Sequence, residues 1–139
     1  MRLLKSLYPF LLLLLISCNT QPQKLSAIHE TIEVSYVNWA CDCANFIETK
    51  FYKSNFNYQI KETDCIFIEP SNDNNKIPNA FYRKGNFDHY LELTGQFYND
   101  KGIPSSYEQK TTEQQLKKAK VFRYDSFKLI KKNKNQFSN

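Results

Sequence analysis

Segments of period-two alternation, one stretch with apolar residues at helical spacing, and a long strand interrupted by glycine predict an α+β domain. The expected architecture is a small, curved, five-stranded and mostly antiparallel sheet or barrel with one main helix near residues 39–52. Ile32, Val34 and Tyr36 alternate with Thr31, Glu33 and Ser35, the pattern of a half-buried first strand. Leu91, Leu93 and Phe97 share a parity with Gly95, and a glycine inside a strand marks a bend or bulge.

The helix is predicted from Asn38 as N-cap and from Ala40, Cys43, Ala44, Ile47 and Phe51, spaced as one helical face. Phe56, Tyr58 and Ile60 alternate as a second strand. Cys65-Ile66-Phe67-Ile68, apolar on both faces, predicts a buried central third strand after a turn at Lys61-Glu62-Thr63. Pro70 to Lys76 is dense in turn formers and reads as a surface loop. Residues 77–85 predict one or two helical turns, with proline near the start, cations at the end and Gly85 as the stop.

Residues 103–118 are hydrophilic and are expected to form the most mobile internal segment. In the last strand Val121 and Arg123 alternate with Phe122 and Tyr124, then the alternation resumes after Asp125-Ser126 through Phe127 and Leu129. A bulge is expected at that interruption. The order of elements is loosely similar to an OB-type barrel, and a lipocalin-like or other small barrel fits it as well.

The N-terminus carries a different signal. Arg2 and Lys5 precede an apolar run from Phe10 to Ile16, and small residues follow, the layout of a secretory signal. The run is too short to span a bilayer, which takes about 20 apolar residues. Leu15-Ile16-Ser17-Cys18 resembles the lipobox of bacterial lipoproteins. That resemblance implies cleavage between Ser17 and Cys18, acyl chains on Cys18, and a lipid-anchored protein of the cell envelope. With Glu30 the first acid after Cys18, it points to the outer membrane, facing the periplasm. The expected organisation is a signal peptide at 1–17, a lipidated cysteine and flexible tether at 18–30, one β-rich domain at 31–130 and a basic disordered tail at 131–139.

Without residues 1–17 the chain keeps 122 residues, enough for one domain with a core. Its 17 basic and 14 acidic residues leave a net +3, and export conflicts with a nucleic-acid partner. Eight basic residues face the single Asp125 between Lys117 and Lys134, so the basic end can lie against anionic lipid or cell-wall polymer, or fray as a solubilising terminus. Gly85, Gly95 and Gly102 are the only glycines, which excludes a glycine-rich phosphate cradle.

If Cys18 is acylated, Cys41, Cys43 and Cys65 remain in a compartment that permits disulfides. On a helix Cys43 faces the core and is the expected disulfide partner of Cys65, leaving Cys41 as a free thiol. Were residues 41–43 extended, Cys41 and Cys43 would point the same way and, with Cys65, bind Cu(I) or Zn. No cofactor, catalytic residue or resident metal ligand is expected from the leading reading. His29 and His89 lack ligand spacing, Asp88-His89 lacks a placed nucleophile, and Glu30, Glu33, Asp42 and Glu48 fit a solvated surface. Trp39 suits a core anchor better than a binding groove. The functional expectation is a non-enzymatic envelope lipoprotein that binds another envelope protein or a small ligand. The alternative is a thiol-based copper- or zinc-handling lipoprotein.

Overall fold

A computed structural model of the chain describes residues 20–55, 57–112 and 115–133. Five strands, β1 (Leu25–Tyr36), β2 (Phe46–Glu48), β3 (Phe67–Pro70), β4 (His89–Tyr98) and β5 (Val121–Lys131), form one sheet in the order β2-β1-β4-β5-β3. All neighbours are antiparallel except β3 and β5, which run parallel. The sheet curls until its two ends meet. The Phe46 amide donates to the Ile66 carbonyl at 3.2 Å and the Ile66 amide returns to Phe46 at 2.7 Å, a bridge between the entry of β2 and the entry of β3. The α+β expectation holds, with a half-barrel sheet and a short helix at Lys50–Lys53.

Alternation divides the core between the two faces of the sheet. Ile32, Val34, Leu91, Leu93, Phe122 and Tyr124 pack together on one face, and Ile77 and Phe81 cover them. Adjacent strand residues point to opposite faces, so Ile47, Phe67 and Val121 join Ala44, Cys65 and Ile103 in a second cluster on the other. Edge-on ring pairs knit both layers, with Phe97 against Phe122 at 4.8 Å and Phe67 against Tyr107 at 5.0 Å.

The expected bulge is present, and Gly95 and Asp125 make it. Thr94 pairs with Ser126 but Gly95 pairs with Tyr124, so Asp125 is the extra residue. A Cβ on Gly95 would lie 2.1 Å from the Arg123 carbonyl oxygen and 2.7 Å from the Tyr124 Cα. Only a bare backbone fits that approach. The extra residue shifts the parity of β5, so that Tyr124 before it and Phe127 after it both pack on the first core.

Other expectations give way. Residues 40–43 are bends rather than the first turns of a helix, and Phe46–Glu48 is a strand. All three residues of β2 are buried, Phe46 toward one cluster and Ile47 toward the other. A short segment buried on both faces has no period of its own, so residues 39–52 imitated a helical face. The expected second strand is absent from Tyr58 to Ile60, and Phe56 lies outside the described residues. Tyr58 instead stacks on Phe51 and donates its hydroxyl to Asp64 at 2.5 Å. Cys65, Ile66 and Phe67 are buried as expected, but at the seam of the curl rather than in a central strand.

Helical structure near residue 80 runs through a π-helical turn at Phe81–Gly85 and on to Asn86–Asp88, past the expected stop. The Asn86 side-chain amide donates to the carbonyls of Phe81 and Tyr82, ties that carry the turn beyond Gly85. Residues 103–111 are anchored rather than loose. Ile103 and Pro104 are buried, and Tyr107 packs on Phe67.

Candidate functional site

Ser17 and Cys18 lie outside the described residues, as do residues 1–16 and the tail beyond Asn133. From Thr20 onward, the segment expected to be a tether is part of the domain. The Thr20 carbonyl accepts the Ile103 amide at 2.9 Å, and the Asn99 amide donates to Lys24 at 2.7 Å. Pro22 is buried against Gly102, where a Cβ would come within 2.5 Å of its ring. The Asp100 carboxylate accepts the amides of Gln23 and Lys24 at 3.2 and 3.3 Å. Burial pushes the Asp100 pKa up, but these amide hydrogen bonds and the nearby Lys118 outweigh it and hold it below the usual carboxylate value. β1 then pairs with β4 from Leu25. This pairing is made by backbone groups, and Ile28 is exposed, so residues 25–30 carried no alternation to betray it. Thr20 is two positions after Cys18 in the sequence.

The cysteines depart from their expected pairing. Cys41 and Cys43 are joined to each other, with Cα atoms 5.5 Å apart, and Cys65 is the free and buried cysteine. The expected Cys43–Cys65 bridge and free Cys41 both depended on a helix at residues 39–52. The loop is closed instead by the Val37 amide, which donates to Asn45 at 2.8 Å, and its bends turn the two sulfurs toward each other. Cys65 sits in the second core, where burial pushes its thiol pKa up. A link across one residue closes too short a loop to stabilise the fold much. The loop-entropy relation gives about 1.5 kcal/mol, against about 3.4 for the expected link.

Asp42, between the two cysteines, is the best-held carboxylate of this region. It is only 3% exposed. It accepts the amides of Lys110 and Thr111 at 2.6 and 2.8 Å, the Thr111 hydroxyl at 2.9 Å and the Tyr107 hydroxyl at 3.3 Å. Burial pushes the Tyr107 pKa up, and the Asp42 charge adds to it, to about 12. The segment 107–111 thereby clamps the cysteine turn from behind. In front lies Glu62, in a single 3-10 turn at Glu62–Asp64. Its carboxylate and the two sulfurs all lie within 4.8 Å of one another. Lys117 pairs with Glu62 at 3.2 Å, and the group opens on a pocket of about 270 Å³ that also reaches Gln115. Cys65 is not in this cluster.

A larger neighbouring pocket of about 370 Å³ carries Lys101, Lys118 and Lys120 together with Glu48, Asp64 and Phe51. Burial and the hydrogen bond to Asp64 raise the Tyr58 pKa beside it to about 12, the hydrogen bond being the larger cause. Glu48 pairs with Lys50 at 2.5 Å, and Glu33 accepts from Thr49 and Lys53, so these carboxylates are held singly and not as acid–base pairs. His29 meets Asp125 at 3.0 Å on the exposed bulge. His89 turns its Nδ1 to the Gly85 carbonyl at 3.2 Å rather than to Asp88. Trp39 packs against the second core, as an anchor.

Lys131 ends β5, and Lys132 is docked through its amide to Asp88 and its ammonium over the Tyr90 ring at 4.9 Å. The basic tail thus starts later than residue 131. Asp42 and Glu62 are the residues that sequence reasoning placed on a solvated surface or in a plain turn. An aspartate between two cysteines was the one signal, and nothing in the spacing links Glu62 to position 41. Among the described residues no helix is long and apolar enough to cross a membrane. No protein family, curated protein or solved structure was found to match this chain.

Proposed function

We propose that the chain is an envelope lipoprotein anchored through acyl chains on Cys18, acting as a non-enzymatic binding or interaction module at the outer membrane and facing the periplasm. The observation that carries this reading is the tetrapeptide Leu15-Ile16-Ser17-Cys18 at the end of a charged and then apolar leader. Each buried methylene contributes about 0.8 kcal/mol, and stable attachment takes more than one chain, as several acyl groups on one cysteine would supply. The larger pocket, where Lys101, Lys117, Lys118 and Lys120 outnumber Glu48, Glu62 and Asp64 by one, suits a small anionic ligand or an acidic loop of another envelope protein.

Incorporation of radiolabelled fatty acid tests the anchor. The native chain is expected to take up label and to sediment with membranes after a salt wash. Cys18→Ala is expected to lose both, or to keep its leader uncut. A native chain that takes up no label, with a variant that still sediments, contradicts the reading.

A second reading, thiol-based handling of zinc or copper, is favoured by one observation, the convergence of Cys41, Cys43 and Glu62.

A further inference from the structure

We infer that Cys41, Cys43 and Glu62 form a zinc-class cation site that opens when the Cys41–Cys43 bridge is reduced. The inference deepens the metal-handling reading and rests on it, replacing Cys65 with Glu62 as the third ligand. Three independent features of the fold converge on it. First, the three ligand atoms lie within 4.8 Å of one another. A tetrahedral ion with sulfur at about 2.3 Å and oxygen at about 2.1 Å needs ligand atoms about 3.5–3.8 Å apart. Separating the bonded sulfurs and drawing Glu62 inward meets that need by side-chain rotation, because the Cα atoms of the cysteines are already 5.5 Å apart.

Second, the turn is held from behind. Asp42 keeps its backbone in place through Lys110 and Thr111, so reduction releases the sulfurs without releasing the loop. Third, the site is open in front, with Cys41 half-buried and Gln115 and Lys117 lining the pocket, which leaves a fourth position for water or a ligand. Two thiolates and a carboxylate suit Zn²⁺, whose sites mix sulfur and oxygen donors, better than Cu(I), which prefers sulfur alone. Lys117, already 3.2 Å from Glu62, balances the single negative charge of such a set.

The chemistry balances in two steps. A dithiol reductant attacks Cys41, the more accessible sulfur, and the sulfur–sulfur bond breaks. Two electrons and two protons pass to the protein, and the reductant leaves as its own disulfide. Zn²⁺ then displaces the two thiol protons to solvent as both thiolates bind. The short bridge resists that reduction little, because it closes a loop of one intervening residue.

The test is zinc titration of the purified full-length protein against a chromophoric chelator, with and without prior treatment by a dithiol and under anaerobic conditions. The reduced protein is expected to bind one Zn²⁺ per chain and the oxidised protein none. Cys41→Ser is expected to weaken binding by at least a hundredfold and Glu62→Gln by about ten- to a hundredfold, while Cys65→Ser stays within about twofold of native. Glu62 lies outside both cores, so its variant reads the site without disturbing the fold, and circular dichroism of each variant checks this. Loss of binding in Cys65→Ser with native affinity in Glu62→Gln overturns this site but leaves metal handling by the three cysteines standing. No binding above the level of a Cys41→Ser/Cys43→Ser protein overturns both. Equal binding before and after reduction overturns the role of the bridge.

Discussion

The ladder of β1, β4 and β5 and the segment from Val37 to Ile66 share one domain but are held by different means. In the ladder, register follows from residue spacing. Alternating Leu91, Leu93 and Gly95 set one face, and the extra Asp125 restores parity so that Tyr124 and Phe127 stay on the core. In the segment, three residues of β2 pair with β1, and the rest is positioned by single contacts: the Phe46–Ile66 bridge, the Val37–Asn45 closure and the Asp42 clamp. Spacing repeats along the chain and is visible in it. Single long-range contacts are not.

The largest effect is expected from Phe46→Ala, which removes a ring 2% exposed at the seam where the curled sheet meets itself. We expect a loss of about 3–5 kcal/mol in urea unfolding. A loss under about 1 kcal/mol would mean that the seam does not hold the fold together. Gly95→Ala probes the ladder in the same assay. Its new Cβ overlaps the Arg123 carbonyl, a backbone atom that can move only with β5, so about 1–3 kcal/mol or more is expected. Wild-type stability in that variant would contradict the bulge.

These two positions also mark how much was legible. Gly95 and the interruption at Asp125 predicted the bulge because a glycine within an alternating strand and a broken parity are both local signs. Phe46 gave no such sign. With Ile47 it faces two cores at once, and the apolar spacing of Ala40, Cys43, Ala44 and Ile47 then matches a helix equally well. The cysteine pairing inherited that error, since the facing of Cys43 was deduced from the helix. Glu62 was illegible for a simpler reason. It reaches the cysteines across a fold closure about 20 residues long, and no spacing encodes that contact.

The entry segment offers a smaller, pH-dependent contrast. The Asp100 carboxyl is held below its usual value by the Gln23 and Lys24 amides, so its contribution is present above the unfolded aspartate pKa. It is lost as pH falls through the lower, folded value. Protection of the Gln23 and Lys24 amides, relative to their intrinsic exchange, should therefore fall selectively below about pH 4, and Asp100→Asn should show that loss of protection at neutral pH. Unchanged protection in the variant would show that the Pro22–Gly102 contact and the backbone hydrogen bonds of Thr20 and Lys24 fix the segment without Asp100.

Which cysteines are joined decides the shape of the candidate site. Trypsin cuts after Lys24, Lys50, Lys61 and Lys76, which places Cys41 and Cys43 in one peptide, residues 25–50, and Cys65 in another, residues 62–76. Mass spectrometry of the exported protein, alkylated while unfolded and left unreduced, should find peptide 25–50 unalkylated and lighter by two hydrogens, with peptide 62–76 carrying one alkyl group. A mass equal to the two peptides joined, with one alkyl group, would bridge Cys65 to Cys41 or Cys43 and contradict the cysteine turn on which the candidate site is built.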